Sequence, residues 1–358
     1  MPKNDFVTYE QSGVNIDAND RMVERIMRSL QSTHGPRVIN LPNGFAGLLR
    51  IDFNEKLFRR NYKQPVLVAS TDGVGTKIKV AQMAGKYDCV GIDLVAMSVN
   101  DVLVIGAEPL LFLDYLAIHK LVPSEIAEMV EAVAEGCRQS DCALLGGETA
   151  EMPDIYPEGE YDMAGFAVGI VDRNRILDGT AVRRGDVVLG LASSGIHSNG
   201  FALVRQIIFK QLGLKIHDTI DELGGITVEK ALLVPTRLYV RSIVKLLGQY
   251  RVKKVVHAMA HITGGGLVGN VPRVVPKDCN VVISKSAWTV PPIFQFLQKH
   301  GPVEEDEMFR VFNMGVGFVL VVAPDFADSI EEKLTHYGET VYRLGKITPG
   351  TGKVVLKD

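Results

Sequence analysis

The stretch PVLVASTDGVGTK, residues 65–77, decides how this chain is read. Its first half, Pro65–Ser70, is a Val-rich apolar run stopped by Asp72-Gly73, the pattern of a short buried strand. Its second half is a loop in which Gly73 and Gly75 let the backbone approach a ligand and aim N–H groups at phosphate oxygens. Lys77 adds a cation, and Asp72 adds a hard oxygen ligand of the kind Mg²⁺ takes. No GK[ST] ending is present, so this is not a Walker A loop, and Ile78 stands where a dinucleotide fingerprint has its third glycine. A plain turn that needs two glycines is the alternative.

Outward from this strand and loop, Leu110–Ile118, Cys142–Leu145 and Ala164–Val171 read as further strands. Cys89–Ile105 reads as a helix with a strongly apolar face, and Ser124 as the N-cap of a helix reaching Gln139. A helical stretch is also expected around Asp20–Leu30, before a loop at Gly35–Gly47. The charged, glycine-bearing segment Asp172–Asp186 separates two apolar strand signals and marks the boundary between two domains, 1–175 and 176–358. Beyond it, Val187–Ala192, Val255–Met259, Asn280–Ser284 and Phe318–Ala323 read as strands. Helices are expected from about Phe201 and near Pro235–Leu247, Pro291–His300 and Asp325–Tyr337. Strands and helices mix throughout, so the fold class is α/β (α+β).

Composition narrows the function classes. Over 358 residues the formal net charge is −3, which argues against a surface built for nucleic acid but leaves room for a local phosphate pocket. Cys89, Cys137, Cys142 and Cys279 form no CxxC pair and read as reduced core cysteines of a cytosolic protein. Met1–Asp20 is polar and acidic, unlike a signal peptide. No apolar run approaches the ~18 residues that span a membrane. A soluble, cytoplasmic protein is expected.

Four more segments carry chemistry. Asp93 and Asp101 are eight apart on the expected helix, which at ~100° per residue leaves them about 80° apart on one side. Met97 lies between them and Asn100 beside Asp101. Carboxylates in so apolar a helix are costly unless paired or metal-bound, unless both face solvent. In LLGGETAEMP (144–153) a strand ends at Gly146-Gly147, followed by Glu148, Thr149 and Glu151. That places an acid to meet a metal or substrate amine, or makes an acidic surface turn. SSGIHSNG (193–200) offers hydroxyls, a glycine and an amide at a helix start, suiting a substrate phosphate, with His197 either structural or able to bind phosphate or move a proton. HAMAHITGGG (257–266) has the HxxxH spacing of a zinc helix, but Val255-Val256 favours a strand and no third ligand is evident. Its Gly264–Gly266 run is the better phosphate cradle, with His261 beside it. With Asp114 counted too, the acids suit Mg²⁺ and nucleotide phosphates better than zinc. No GxSxG elbow is present, which favours direct phosphoryl transfer over a covalent enzyme intermediate.

Together with GIDLVAMSVNDVL (91–103), GAEPLLFLDYLA (106–117), EYDMAGFAVG (160–169), VPPIFQFLQ (290–298) and EMFRVFNMGVGFVL (307–320), these segments strongly resemble the phosphoribosylformylglycinamidine cyclo-ligase (AIR synthetase) family, in one order over about residues 7–350. The resemblance implies an N-terminal half that binds ATP and dimerises through a barrel-like sheet, and a C-terminal half that completes the substrate cleft. It implies Mg²⁺ on Asp72, Asp101 and Glu148, and ATP on Asp72, Gly73, Gly75, Thr76, Lys77, Asp93 and Asn100. Substrate would meet Glu148, Thr149, Ser194, His197, Ser198, Asn199, Gly264 and Gly265, with Lys77, His197 and His261 catalytic. The partners implied are a small nucleotide substrate, a second copy of the chain and, transiently, neighbouring enzymes of purine synthesis; neither nucleic acid nor membrane is among them. The chain departs from the family's pattern in the loop Asn43–Gly47, at Met27, where some relatives carry lysine, and at His119 and Asp154, where glycine is common. Selenophosphate synthetase would show a Cys within residues 1–50, and the hydrogenase-maturation relative a C-terminal Cys; neither is present. Formylglycinamidine synthetase and a silent nucleotide-binding scaffold are the remaining alternatives.

Overall fold

Alternating apolar positions build the first large sheet. The computed structural model describes residues 26–39, 47–51, 62–250 and 252–358. The expectations for Met1–Asp20, most of the Gly35–Gly47 loop and the start of the Asp20–Leu30 helix fall outside them. A short helix α1 (26–32) and the small pair β1 (Val38–Ile39) and β2 (Leu48–Leu49) come first. There follow β3 (Pro65–Gly73), α2 (Lys77–Ala84), α3 (Asp88–Val104), β4 (Glu108–Ile118), α4 (Pro123–Gln139), β5 (Ala143–Glu151) and β6 (Tyr161–Asp172). The four long strands line up as β3-β6-β4-β5, with β4 and β5 parallel and the other pairs antiparallel.

One face of this sheet is covered by α3, with α4 packed on α3. The approach is close at Gly165 and Gly169 of β6, where an added Cβ would lie 2.4 Å from the Phe112 ring and from a Val102 methyl, respectively. The other face presents Leu67 (63% exposed), Phe166 (43%), Leu113 (38%) and Tyr115 (36%). An apolar sheet face left open on that scale marks a surface that something covers.

The second half holds β7 (Val187–Ala192), α5 (Phe201–Arg205), which runs on into a wider helical turn at Gln206–Gln211, and the small hairpin β8 (Thr219–Ile220) and β9 (Ile226–Thr227). Then come α6 (Val228–Leu232), α7 (Val240–Gln249), β10 (Val256–His261), α8 (Gly266–Asn270), β11 (Cys279–Ser284), α9 (Pro292–His300), α10 (Glu305–Val311), β12 (Val316–Val322), α11 (Ala327–His336), β13 (Val341–Pro349) and β14 (Val354–Lys357). Its sheet runs β10-β12-β7-β13-β11-β14, antiparallel except where β14 joins β11. β12 is buried along its whole length, as a central strand covered on both faces must be.

Three local expectations are corrected. Ser124 is not the cap of α4: Val122 is, and Pro123 takes the first helical position, where its missing N–H costs nothing. Gly146-Gly147 does not end a strand but lies inside β5, because β4 supplies parallel partners on both sides of it. The helix expected from Pro235 starts only at Val240, leaving residues 233–239 as an irregular strap. All four cysteines are free and buried. Among the described residues no helix is long and apolar enough to cross a membrane.

Candidate active site

Four of the five segments singled out in the sequence meet where the first half abuts the second. The 71–77 loop leaves β3 with Gly75 and Thr76 exposed and Asp72 and Gly73 half-buried. It touches the 193–200 loop through Ser198, whose Oγ donates to the Val74 carbonyl at 2.6 Å. Asn199 reaches toward Met97 of α3, with Nδ2 3.8 Å from its sulfur, and borders Gly264 of the glycine run. At the end of β10, His261 Nδ1 lies 2.9 Å from Asp101 Oδ1. Asp72 feels both: burial pushes its carboxyl up first, Gly73 N–H opposes that, Asp101 raises it further and His261 lowers it. Asp72 therefore lies within electrostatic reach of the Asp101–His261 pair, in which Asp101 is open to solvent and the His261 Nε2 is buried without a partner among the described residues.

Lys77 and Asp93, expected at the nucleotide, face into the protein and pair with each other. Lys77 is fully enclosed, with Nζ 2.7 Å from Asp93 Oδ2 and donating to the Val234 carbonyl at 2.8 Å. Asp93 Oδ1 accepts from the Thr236 backbone N–H and from its hydroxyl, at 2.7 and 2.6 Å. Both charges are satisfied inside the protein and neither points at a cleft. Asn100 is buried as well, its amide donating 2.9 Å to the Arg237 carbonyl and accepting 3.2 Å from the Tyr239 N–H.

His197 lies inside the protein as well. It is buried, with φ of 63°, and its Nε2 accepts from the backbone N–H of Ser194 at 3.2 Å and of Arg237 at 3.5 Å. That arrangement puts the ring proton on Nδ1, which has no partner among the described residues. Burial, then the nearby basic side chains of His261, Lys77 and Arg237, hold it well below the usual imidazole range, so the ring is neutral. Ser194 is exposed, donating to the Pro235 carbonyl at 2.5 Å. The first histidine of the HxxxH pattern, His257, turns away to Asp186, 2.6 Å from it.

The fifth segment does not join. Across the sheet Gly73 pairs with Ala164, Ala164 with Tyr115, and Tyr115 with Glu148. Three strand spacings separate Asp72's strand end from Glu148, on the order of 14 Å. One cation cannot bridge Asp72, Asp101 and Glu148 within a chain, and among the described residues no group of three or more acidic, histidine or cysteine side chains is gathered to hold a metal. Thr149 lies on β5 beside Glu148, at the same far edge.

The segment that sequence reading passed over is the strap. Val234 meets Lys77, Pro235 meets Ser194, Thr236 meets Asp93, Arg237 meets both Asn100 and His197, and Tyr239 meets Asn100, while Arg237 is anchored to Glu339 at 2.9 Å. The buried charges of α2 and α3 were the available signal, since they require polar partners from somewhere distant in the chain.

Known proteins share this architecture. Residues 57–171 match the family of AIR synthase related proteins in its N-terminal domain, and residues 183–357 in its C-terminal domain. The phosphoribosylformylglycinamidine cyclo-ligase of Brevibacillus brevis is 49% identical over 347 residues, 97% of this chain and 97% of its own length. That of Syntrophotalea carbinolica is 50% identical over 341 residues, 95% of this chain and 94% of its own. Among solved structures, thiamine-monophosphate kinase from Stenotrophomonas maltophilia superposes with a TM-score of 0.65 at 17% identity, over 94% of this chain and 96% of that one. A hydrogenase maturation protein in complex with ATP does so with a TM-score of 0.65 at 17% identity, over 96% and 92%. Those two likenesses carry the fold alone. Identity near one half along almost the whole chain carries more, and by it this chain belongs to the phosphoribosylformylglycinamidine cyclo-ligase family.

Proposed function

We propose that the protein closes the imidazole ring of aminoimidazole ribonucleotide. ATP phosphorylates the formyl amide oxygen of formylglycinamidine ribonucleotide, the ribosylamine-side nitrogen attacks the activated carbon, and phosphate leaves, giving ADP and phosphate. Family membership supports this, and the observation that carries it in the molecule is the open Asp72–Asp101–His261 cluster beside the 71–77 loop.

The exposed backbone at Gly75 and Thr76 lines up the triphosphate. Two carboxylates with no further protein ligand fit Mg²⁺, which keeps waters and takes substrate phosphates in its remaining positions. Bound by Asp72 and Asp101, Mg²⁺ would neutralise charge on the transferring phosphoryl group. The ATP held by a hydrogenase maturation protein of this fold supports the same use of the fold here. His261, donating Nδ1–H to Asp101, keeps the Nε2 lone pair free to accept the proton that the attacking nitrogen sheds. Asn199, Ser194 and the N–H groups at Gly264 and Gly265 hold the substrate bent, and because ring closure is intramolecular that alone lowers the barrier greatly. Glu148 and Thr149 would act on substrate only from the far sheet edge.

The exposed face carrying Leu67, Leu113, Tyr115 and Phe166 supports a homodimer that covers it. Changing Phe166→Lys is expected to halve the mass seen by sedimentation; an unchanged mass would remove this face from the interface. The four reduced cysteines support a cytoplasmic setting. The reaction is tested with Mg·ATP and formylglycinamidine ribonucleotide: ADP and aminoimidazole should appear one for one. ADP release that ignores the substrate, or none at all, would overturn the reading.

A further inference from the structure

We propose that Asn100 is a positioning residue, whose grip on the strap sets α3 so that Asp101 meets His261. The inference rests on the proposed use of Asp101 and His261 in ring closure, and its geometry stands apart from that use. On a helix, residues seven apart are separated by two turns and only about 20° of rotation. Asp93 and Asn100 have this spacing, and both turn to the strap: Asp93 to Thr236, Asn100 to Arg237 and Tyr239. Two anchors two turns apart fix both the height and the rotation of α3. The next residue, Asp101, is then swung about 100° round, toward the cleft and His261, 2.9 Å away.

The strap can serve as a reference because it is held by the second half. The Tyr239 hydroxyl donates to the Ala192 carbonyl at 2.9 Å, and Arg237 pairs with Glu339, which also accepts from Ser242 Oγ at 2.6 Å. His261 belongs to that same half, on β10. Asn100 thus ties the helix bearing Asp101, at the residue next to it, to the half bearing His261. An amide suits the task because the strap offers one acceptor and one donor; a carboxylate would meet the Arg237 carbonyl with no proton to give.

The test uses the full chain with Asn100→Ala and the isosteric Asn100→Asp, which keeps the acceptor for Tyr239 N–H and loses the donor. The first readout is the His261 ring, followed by long-range ¹H–¹⁵N correlation, in which the wild type shows the proton on Nδ1. The second is the split between kcat and KM for Mg·ATP. Expected are a displaced or lost His261 Nδ1–H signal in folded protein and a fall in kcat/KM on the order of 10²-fold, the size of a misplacement near 1 Å. If Asn100→Ala does not fold, Asn100→Asp decides. A lower melting temperature with wild-type His261 signal and kinetics would make Asn100 merely structural and overturn the proposal. Wild-type protein that forms no aminoimidazole would defeat the proposed reaction instead, while the His261 signal still judges the positioning.

Discussion

Asp93 and Asp101 stand eight residues apart on one helix, and each has a basic side chain beside it; yet they live in different worlds. Asp93 is wholly enclosed and every oxygen is used, by Lys77, the Thr236 N–H and the Thr236 hydroxyl. Asp101 has a side chain 46% exposed, one histidine for company and a second carboxylate close by. A rotation of about 80° along the helix surface suffices for this, since it carries one carboxylate inward and the other to a cleft. What separates structure from chemistry here is therefore not the presence of charge but whether the charge is already satisfied.

The comparison can be broken most sharply at the buried end. Asp93→Ala strands the Lys77 ammonium in an apolar interior, and removing one partner of a buried pair costs about 3–5 kcal/mol. Denaturant unfolding measures this; a variant as stable as the wild type would erase the distinction. Replacing both partners, Lys77→Met with Asp93→Leu, should lose less than Asp93→Ala alone, because no bare charge remains. At the open end the balance reverses. Asp101→Asn should change stability by no more than about 1 kcal/mol, as for other exposed pairs, while ring closure slows on the order of 10²-fold. Unfolding and product formation on one preparation separate the two; loss of fold with retained rate would exchange the roles.

Sequence reading reached the strands and most helices, because long apolar runs such as Leu110–Ile118 and Phe318–Ala323 carry their own signal. It stopped where the cause lay elsewhere in the chain. Gly146-Gly147 has the composition of a turn and becomes strand only because β4 runs alongside. The strap 233–239 has Pro235 where a helix could begin, and nothing local says that Thr236, Arg237 and Tyr239 must stay out of a helix to receive α3. Lys77 follows a glycine loop, as a phosphate-binding lysine would, but it is the first residue of α2 and faces inward. The Asp72–Asp101–His261 cluster was legible residue by residue. The role of Asn100 was not, since its partners are backbone groups more than a hundred residues away.

A third carboxylate sharpens the comparison, because Asp114 is buried like Asp93 yet forms no ion pair among the described residues. It lies on β4 on the helix-covered face, and burial, opposed by a backbone hydrogen bond of its own residue, pushes its carboxyl up to about 7. The sign follows from linkage. The folded protein holds this proton more tightly than the unfolded chain, whose Asp titrates near 3.9, so the stabilisation is complete below that value and is lost as pH rises through about 7. From about pH 5 to about pH 8 this group should remove roughly 2.5 kcal/mol of stability. Asp114→Asn, isosteric and never charged, should flatten that part of the profile and be the more stable protein at alkaline pH. Were the two profiles parallel, Asp114 would have a partner that satisfies its charge, and burial alone would no longer distinguish it from Asp93.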